Sequence, residues 1–245
     1  MKWRTHAAIT RTVGDSLGME PELIEVMVEA SIEPDRCPVG KRNNGRFSRS
    51  IHHGTESKIV KILVWKARMA FLEGDVHSGS RALGLALHYV QDNSVPRCRN
   101  WNAHKEFERR LSEQVVPMNA IRSGLERSIS SPLFVDAVAD SVRPRKNRQW
   151  SMYQASACSA ALAGAVLSDL DPPGEMAIQL RRRLLAHRYV APPLIIGLGA
   201  AVTTTLWTIW PAAGLTALSA TCILFAVNST LTRRTNRLEK WFDIL

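Results

Sequence analysis

The chain has 245 residues, 45% of them hydrophobic and 22% charged, with a formal net charge of +10. That length holds one ordinary domain with an appendage, and that apolar fraction is enough to bury a real core. Four scattered cysteines (Cys37, Cys98, Cys158, Cys222) form no CxxC, which excludes a disulfide framework and favours free thiols in a reducing compartment.

The charge excess points to an anionic partner, whether a phospholipid surface, nucleic acid or a phosphate-bearing substrate. The opening stretch, MKWRTHAAITRTVGD, lacks the apolar core of a secretory signal peptide. Residues 5–30 then place Ala7, Ala8, Val13, Leu17, Leu23, Ile24, Met27 and Val28 at the three-to-four spacing of amphipathic helices, with a break at Gly18 and Pro21. His6 opens this region, with Trp3 just ahead of it. Residues 31–54, rich in Pro, Gly and polar side chains, read as a loop that delivers Asp35 and the pair His52–His53. A long loop in a compact domain is normally functional or disordered, and these residue types favour function.

Residues 55–74 predict a helix with Ile59, Ile62, Leu63, Ala67, Ala70 and Phe71 on one side and a solvated basic face of Lys58, Lys61, Lys66 and Arg68. Asp75 and His77 fall in the turn that follows and read as incidental. A core helix from Ser80 to about Asp92 comes next, then one from about Asn102 to Val115, then two or three more over 119–187. The small-residue stretch SMYQASACSAALAGAVL belongs to this soluble part, and Asp171-Pro172-Pro173-Gly174 breaks the chain after it. No strand-type alternation persists, so the fold class is all-α.

Tyr189 to Val227 contains no charged residue. The stretch is too long for one membrane span and suits two short ones joined at Trp210–Gly214. Arg181, Arg182, Arg183 and Arg188 precede it; Arg233, Arg234, Arg237 and Lys240 follow it. Both basic flanks favour the cytoplasmic side. The expected organisation is a helical domain over 1–170, a basic linker helix over 171–188, a transmembrane hairpin over 189–228 and a basic cytoplasmic tail over 229–245. The N-terminal domain would then lie on the cytoplasmic side.

Chemistry concentrates in RALGLALHYVQDNSVPRCRNWNAHKEFE, Arg81 to Glu108. His88-x3-Asp92 and His104-x3-Glu108 each set an imidazole and a carboxylate one helical turn apart, where both can bind one cation. Cys98 between them is a further soft ligand for zinc. The chain has only seven histidines, so two such pairs are uncommon by chance. A buried Asp92 also needs a cation partner, and no Lys or Arg stands at helical spacing on its face.

The ordered series Trp3, His6, Asp35, His52 or His53, His88-x3-Asp92, Cys98 and His104-x3-Glu108 resembles the zinc-dependent phospholipase C family, whose fold is shared with single-strand-specific nucleases. The resemblance covers roughly residues 1–165 and is most specific in RALGLALHYVQDNSVP. It implies a compact helical domain with two or three Zn2+ ions. Asp35, one of His52 and His53 (His52 preferred), His88 and Asp92 would hold one ion. Asp92 would bridge to a second near His6 and the N-terminus, and His104 and Glu108 would hold a third with the residue at 98. Two departures stand out. Cys98 replaces the family's usual His, either ligating as a thiolate or losing a ligand. Trp3, whose free amine would be the family's ligand, is preceded by Met1 and Lys2.

The implied activity is a membrane-anchored phosphodiesterase cleaving phospholipid head groups, with Asp35 as helper base for an activated water. The alternatives are a single-strand nuclease or nucleotidase of the same fold, with Trp65 and Trp101 as stacking residues, and a zinc-binding membrane protein without turnover. The expected partners are a phospholipid or other phosphodiester and the membrane, with nucleic acid not favoured and the oligomeric state open.

Overall fold

Apolar residues at helical spacing become helices in a computed structural model that describes residues 1–36, 42–43, 46–47, 56–96, 101–168 and 174–242. Contacts divide the chain into two units, Met1–Leu170 and Asp171–Leu245. The first contains α1 (Trp3–Ser16), α2 (Pro21–Arg36), α3 (Glu56–Leu72), α4 (Val76–Asn93), α5 (Trp101–Leu111), α6 (Met118–Glu126), α7 (Pro132–Ser141) and α8 (Arg148–Leu167). The second contains α9 (Gly174–Leu185), α10 (Ala191–Ile209) and α11 (Pro211–Trp241). The fold is all-α; a two-residue antiparallel ladder, Arg42–Asn43 with Arg46–Phe47, is the exception among the described residues.

α4 is the axis of the first unit. Leu83, Ala86, Leu87 and Val90 are fully buried along it, packed by α2, α3 and α8. Its backbone meets α2 so closely at Gly84 that an added Cβ would stand 2.1 Å from the Met27 carbonyl oxygen. Only glycine permits that approach, which holds the end of α2 beside the end of α4. α1 contributes Ile9 and Val13 to the same core and stops at Gly18, whose φ of +67° is the left-handed conformation glycine adopts freely.

Three local expectations are corrected. α2 does not end near residue 30 but runs to Arg36, so Asp35 sits on its last turn rather than in a loop. Burial of Ile32 extends the helix, and Pro34 is tolerated so close to the C-terminal end. Asp75 is not incidental. It is the N-cap of α4, which begins at Val76, and its side chain accepts from the Ser78 N–H at 3.0 Å. Arg68 is not on a solvated face; it is fully buried and donates to the carbonyls of Val166 (2.8 Å) and Ser168 (2.7 Å), satisfying the end of α8.

In the second unit a π-helical turn (Ala186–Val190) joins α9 to α10, and Trp210 alone separates α10 from α11. Both helices are long and apolar enough to cross a membrane. Large apolar residues stand outward on them, Leu198 at 66% exposure and Ile209 at 76%, more than water tolerates in one patch. The two approach closely at glycine, with Gly199 against Thr221 and Gly214 against Trp207. His187 and Asn228 tie the base of the pair. The His187 Nδ1–H donates to Asn228 Oδ1 at 2.9 Å, and Asn228 Nδ2 donates to the His187 carbonyl at 3.0 Å.

Because the Gly84–Met27 contact is backbone against backbone, Gly84→Ala is expected to destabilise the first unit by about 1–3 kcal/mol. Thermal unfolding of the purified chain measures it. A melting temperature within a degree of the parent would mean that α2 and α4 separate at no cost.

Candidate metal centre

Four side chains from three helices converge at one end of α4. His6 comes from α1, Asp35 from α2, and His88 and Asp92 from α4. Each offers one ligand atom, and those four atoms lie within 4.8 Å of one another. The imidazoles of His6 and His88 are fully buried, with ring centroids 4.4 Å apart. Their Nε2 atoms both face Asp92, at 3.2 Å from Oδ1 for His6 and 3.5 Å from Oδ2 for His88. His6 Nε2 is also 3.7 Å from Asp35 Oδ2.

α5 brings the second pair alongside. His104 Nε2 and Glu108 Oε1 are 3.2 Å apart, one turn from each other as the sequence spacing requires. What joins the two pairs is the terminal amine of Met1, 2.5 Å from Asp92 Oδ1 and 3.0 Å from Glu108 Oε1. Lys2 precedes α1 in an extended conformation, so the chain reaches back into the cluster before the helix begins.

The amine at the carboxylates belongs to Met1, while the Trp3 ring is 48% exposed with the Arg4 guanidinium 5.3 Å from its centre. That amine also supplies the cation partner that Asp92 lacked in its own helix. Cys98, His52 and His53 lie outside the described residues.

The outer nitrogens of the two buried rings are held differently. His88 Nδ1 is 2.9 Å from the Ser31 carbonyl, which only accepts, so that nitrogen carries the proton and Nε2 presents a lone pair. His6 Nδ1 is 2.7 Å from the side-chain oxygen of Gln91, itself fully buried against Thr10 Oγ1 (3.4 Å) and Ser159 Oγ (3.2 Å). The Nε2 of His88 has no hydrogen-bond partner, and that of His6 faces Asp92. Gln91 and the Met1 amine were missed in the sequence. Gln91 had a signal, as a polar residue three positions after His88 on a core-facing helix; a terminal amine near His6 was implied by the resemblance, though not that of Met1.

Electrostatics set the groups apart. Burial alone would depress the Met1 ammonium, but Asp92 and Glu108 overcome it and raise its pKa to about 10. Burial works against the Asp92 charge, yet the ammonium, His6 and His88 hold its carboxyl well below the usual range. Asp35 is pushed the other way, by burial first and then by the neighbouring carboxylates. Burial, reinforced by His6, lowers His88 to about 3, so its imidazole is neutral. A cleft of about 400 Å³ opens beside Glu108, lined by Lys2, Asn102, Lys105, Glu106 and Arg109.

No known protein family, curated protein or solved structure matches this chain.

The ammonium makes the metal-free protein sensitive to alkali. A group whose pKa rises on folding stabilises fully below its unfolded value, here 8.0, and that contribution is lost as pH climbs through about 10. Denaturant titrations of chelator-treated protein at pH 7.5 and 10.5 should therefore differ by up to about 3 kcal/mol. The difference should shrink in protein acetylated at Met1. An equal difference in the acetylated protein would assign the effect to other groups.

Proposed function

We propose that this chain is a membrane-anchored, zinc-dependent phosphodiesterase that releases phospholipid head groups. The observation that carries this reading is the convergence of His6, Asp35, His88 and Asp92, whose ligand atoms lie within 4.8 Å of one another, with the buried Nε2 of His88 aimed at an ionised carboxylate. At His88 the Ser31 carbonyl takes the only ring proton. A lone pair is thus left facing Asp92, an arrangement that is costly unless a cation lies between them.

His6, Asp35, His88 and Asp92 fit a divalent ion, and His104, Glu108 and the Met1 amine, once it has released its proton, fit a second alongside. Such ions lower the pKa of bound water and neutralise charge on a phosphoryl group. Asp92 lies between the two sets and would be available to both ions. Asp35 has its carboxyl partly open to solvent and its proton affinity raised, which suits a proton acceptor at the reacting water. The cleft beside Glu108 offers the substrate a way in. The resemblance to zinc-dependent phospholipases C supports the reaction class. The apolar hairpin supports a lipid substrate, and its basic flanks would set the helical unit on the cytoplasmic side.

One observation favours a second reading. The Met1 ammonium already neutralises Asp92 and Glu108, so the cluster could serve as a structural ion-pair centre of a helical membrane protein without turnover.

Metal analysis of the detergent-purified chain, with product analysis on phosphatidylcholine, phosphatidylglycerol and single-stranded DNA, separates these readings. The expected result is at least one zinc per chain and release of a phosphorylated head group. Asp92→Asn should lose zinc and at least about 100-fold in rate. Nucleotide release would move the substrate to nucleic acid. A metal-free, inactive protein would favour the structural reading.

A further inference from the structure

Charge is spread unevenly along the first unit. Residues 142–167 contain no carboxylate, and the run at their start holds Arg143, Arg145, Lys146 and Arg148, all exposed. Residues 114–125 carry one charged side chain, Arg122. Packing makes these two segments neighbours. α6 and α8 run side by side in the same direction, with Gly124 against Ala157 and, further along, Gly164 against Ser128. The starts of both helices therefore share one end of the unit. There Gln114, Val115 and Pro117 line a cleft of about 360 Å³ together with Met152 and Tyr153.

The apolar side chains at this end are uncovered. Val115 is 88% exposed, Met118 56% and Trp150 47%. Trp150 stacks on Tyr153 with ring centres 5.8 Å apart, and the Arg145 guanidinium stands 5.9 Å from the Trp150 centre. Water solvates such an apolar cluster poorly, and the crowded cations beside it repel one another. An anionic bilayer surface relieves both, because its acyl boundary takes the apolar side chains and its phosphates take the cations. A Trp ring with a guanidinium over it suits that boundary.

We propose that this end of the first unit, formed by Val115, Met118, Trp150 and the basic run over 143–148, docks on the surface of an anionic phospholipid bilayer. The other polyanion that basic charge attracts is nucleic acid, which grips aromatic faces for stacking. Two of the three outward apolar side chains here are aliphatic, which lipid takes and bases do not. The same chain also carries two helices long and apolar enough to cross a membrane. Inserted there, they would keep a bilayer surface at high local concentration. The proposal rests on that membrane reading of the hairpin and owes nothing to the metal centre.

The test is amide hydrogen exchange of the full chain, chelator-treated to prevent turnover and held in nanodiscs. Discs of phosphatidylcholine are compared with discs in which half the lipid is phosphatidylglycerol. The backbone at 112–117 and 142–147 is not helical, so its exchange reports what covers it. Both segments should slow in the anionic discs, while the loop at 127–131, at the far end of α6, should not change. The slowing should vanish at about 1 M salt, where charges are screened beyond about 3 Å. It should also vanish in a combined Arg145→Glu, Lys146→Glu and Arg148→Glu variant, since each cation lost from the surface costs about fivefold in affinity. Val115→Asp, at a side chain the fold does not bury, should weaken it.

Equal exchange of the two segments in both kinds of disc would overturn the proposal, and so would slowing that extends equally to 127–131. Slowing by a single-stranded oligonucleotide in phosphatidylcholine discs, with none in the anionic discs, would overturn it in favour of nucleic acid. The wild-type comparison needs no variant to fold. Zinc plays no part in it, so its failure would leave the metal reading where it stands.

Discussion

A carboxylate held away from water has to be neutralised by what the chain brings to it, and in this protein that carboxylate is Asp92. Its side chain keeps 12% of its exposure, yet it stays ionised. The Met1 ammonium, His6 and His88 are drawn around it from separate stretches of chain, and each reaches it only because α1, α2 and α4 pack at one end of the unit. Removing that charge would leave the buried ammonium with Glu108 as its remaining carboxylate and two idle imidazoles in the core. The cluster is thus a cooperative object, and the surrounding helices are tuned to its geometry.

Its members do not share one protonation preference. Asp92 is held ionised, Asp35 is shifted toward its protonated form, and His88 is kept neutral by burial. Two carboxyls a few ångströms apart with opposite shifts form a polarised pair, one acting as a permanent anion and the other able to exchange protons near the solvent edge. The ammonium completes the balance from inside the protein. A terminal amine beside two carboxylates is both a cation and, after losing its proton, a nitrogen ligand. The same atoms therefore support either an ion-pair centre or a metal centre.

The second unit obeys a different solvent rule. Its two long helices satisfy their backbone hydrogen bonds internally, turn apolar side chains outward, and approach each other closely at glycine. Those are the terms on which helices pair in lipid, where packing and occasional polar contacts replace the hydrophobic drive. The bond between His187 and Asn228 is such a contact, placed where the apolar stretch gives way to basic residues.

The sequence by itself determined what depends on neighbours along the chain. Helical spacing marked α1, α3, α4 and the apolar hairpin, and the His-x3-carboxylate intervals announced two ligand pairs because one helical turn is a local property. It misjudged the end of α2, where burial of Ile32 against the rest of the unit outweighed Pro34, and it misplaced Arg68, whose partners lie about a hundred residues away. Tertiary structure alone decided that His6 and Asp35 join His88 and Asp92, that the Met1 amine lies against Asp92 and Glu108, and that Gln91 stands behind His6. Those facts arise from helix packing, such as the glycine-tight approach of α4 to α2, and local spacing carries no information about which distant segments a packed core brings together.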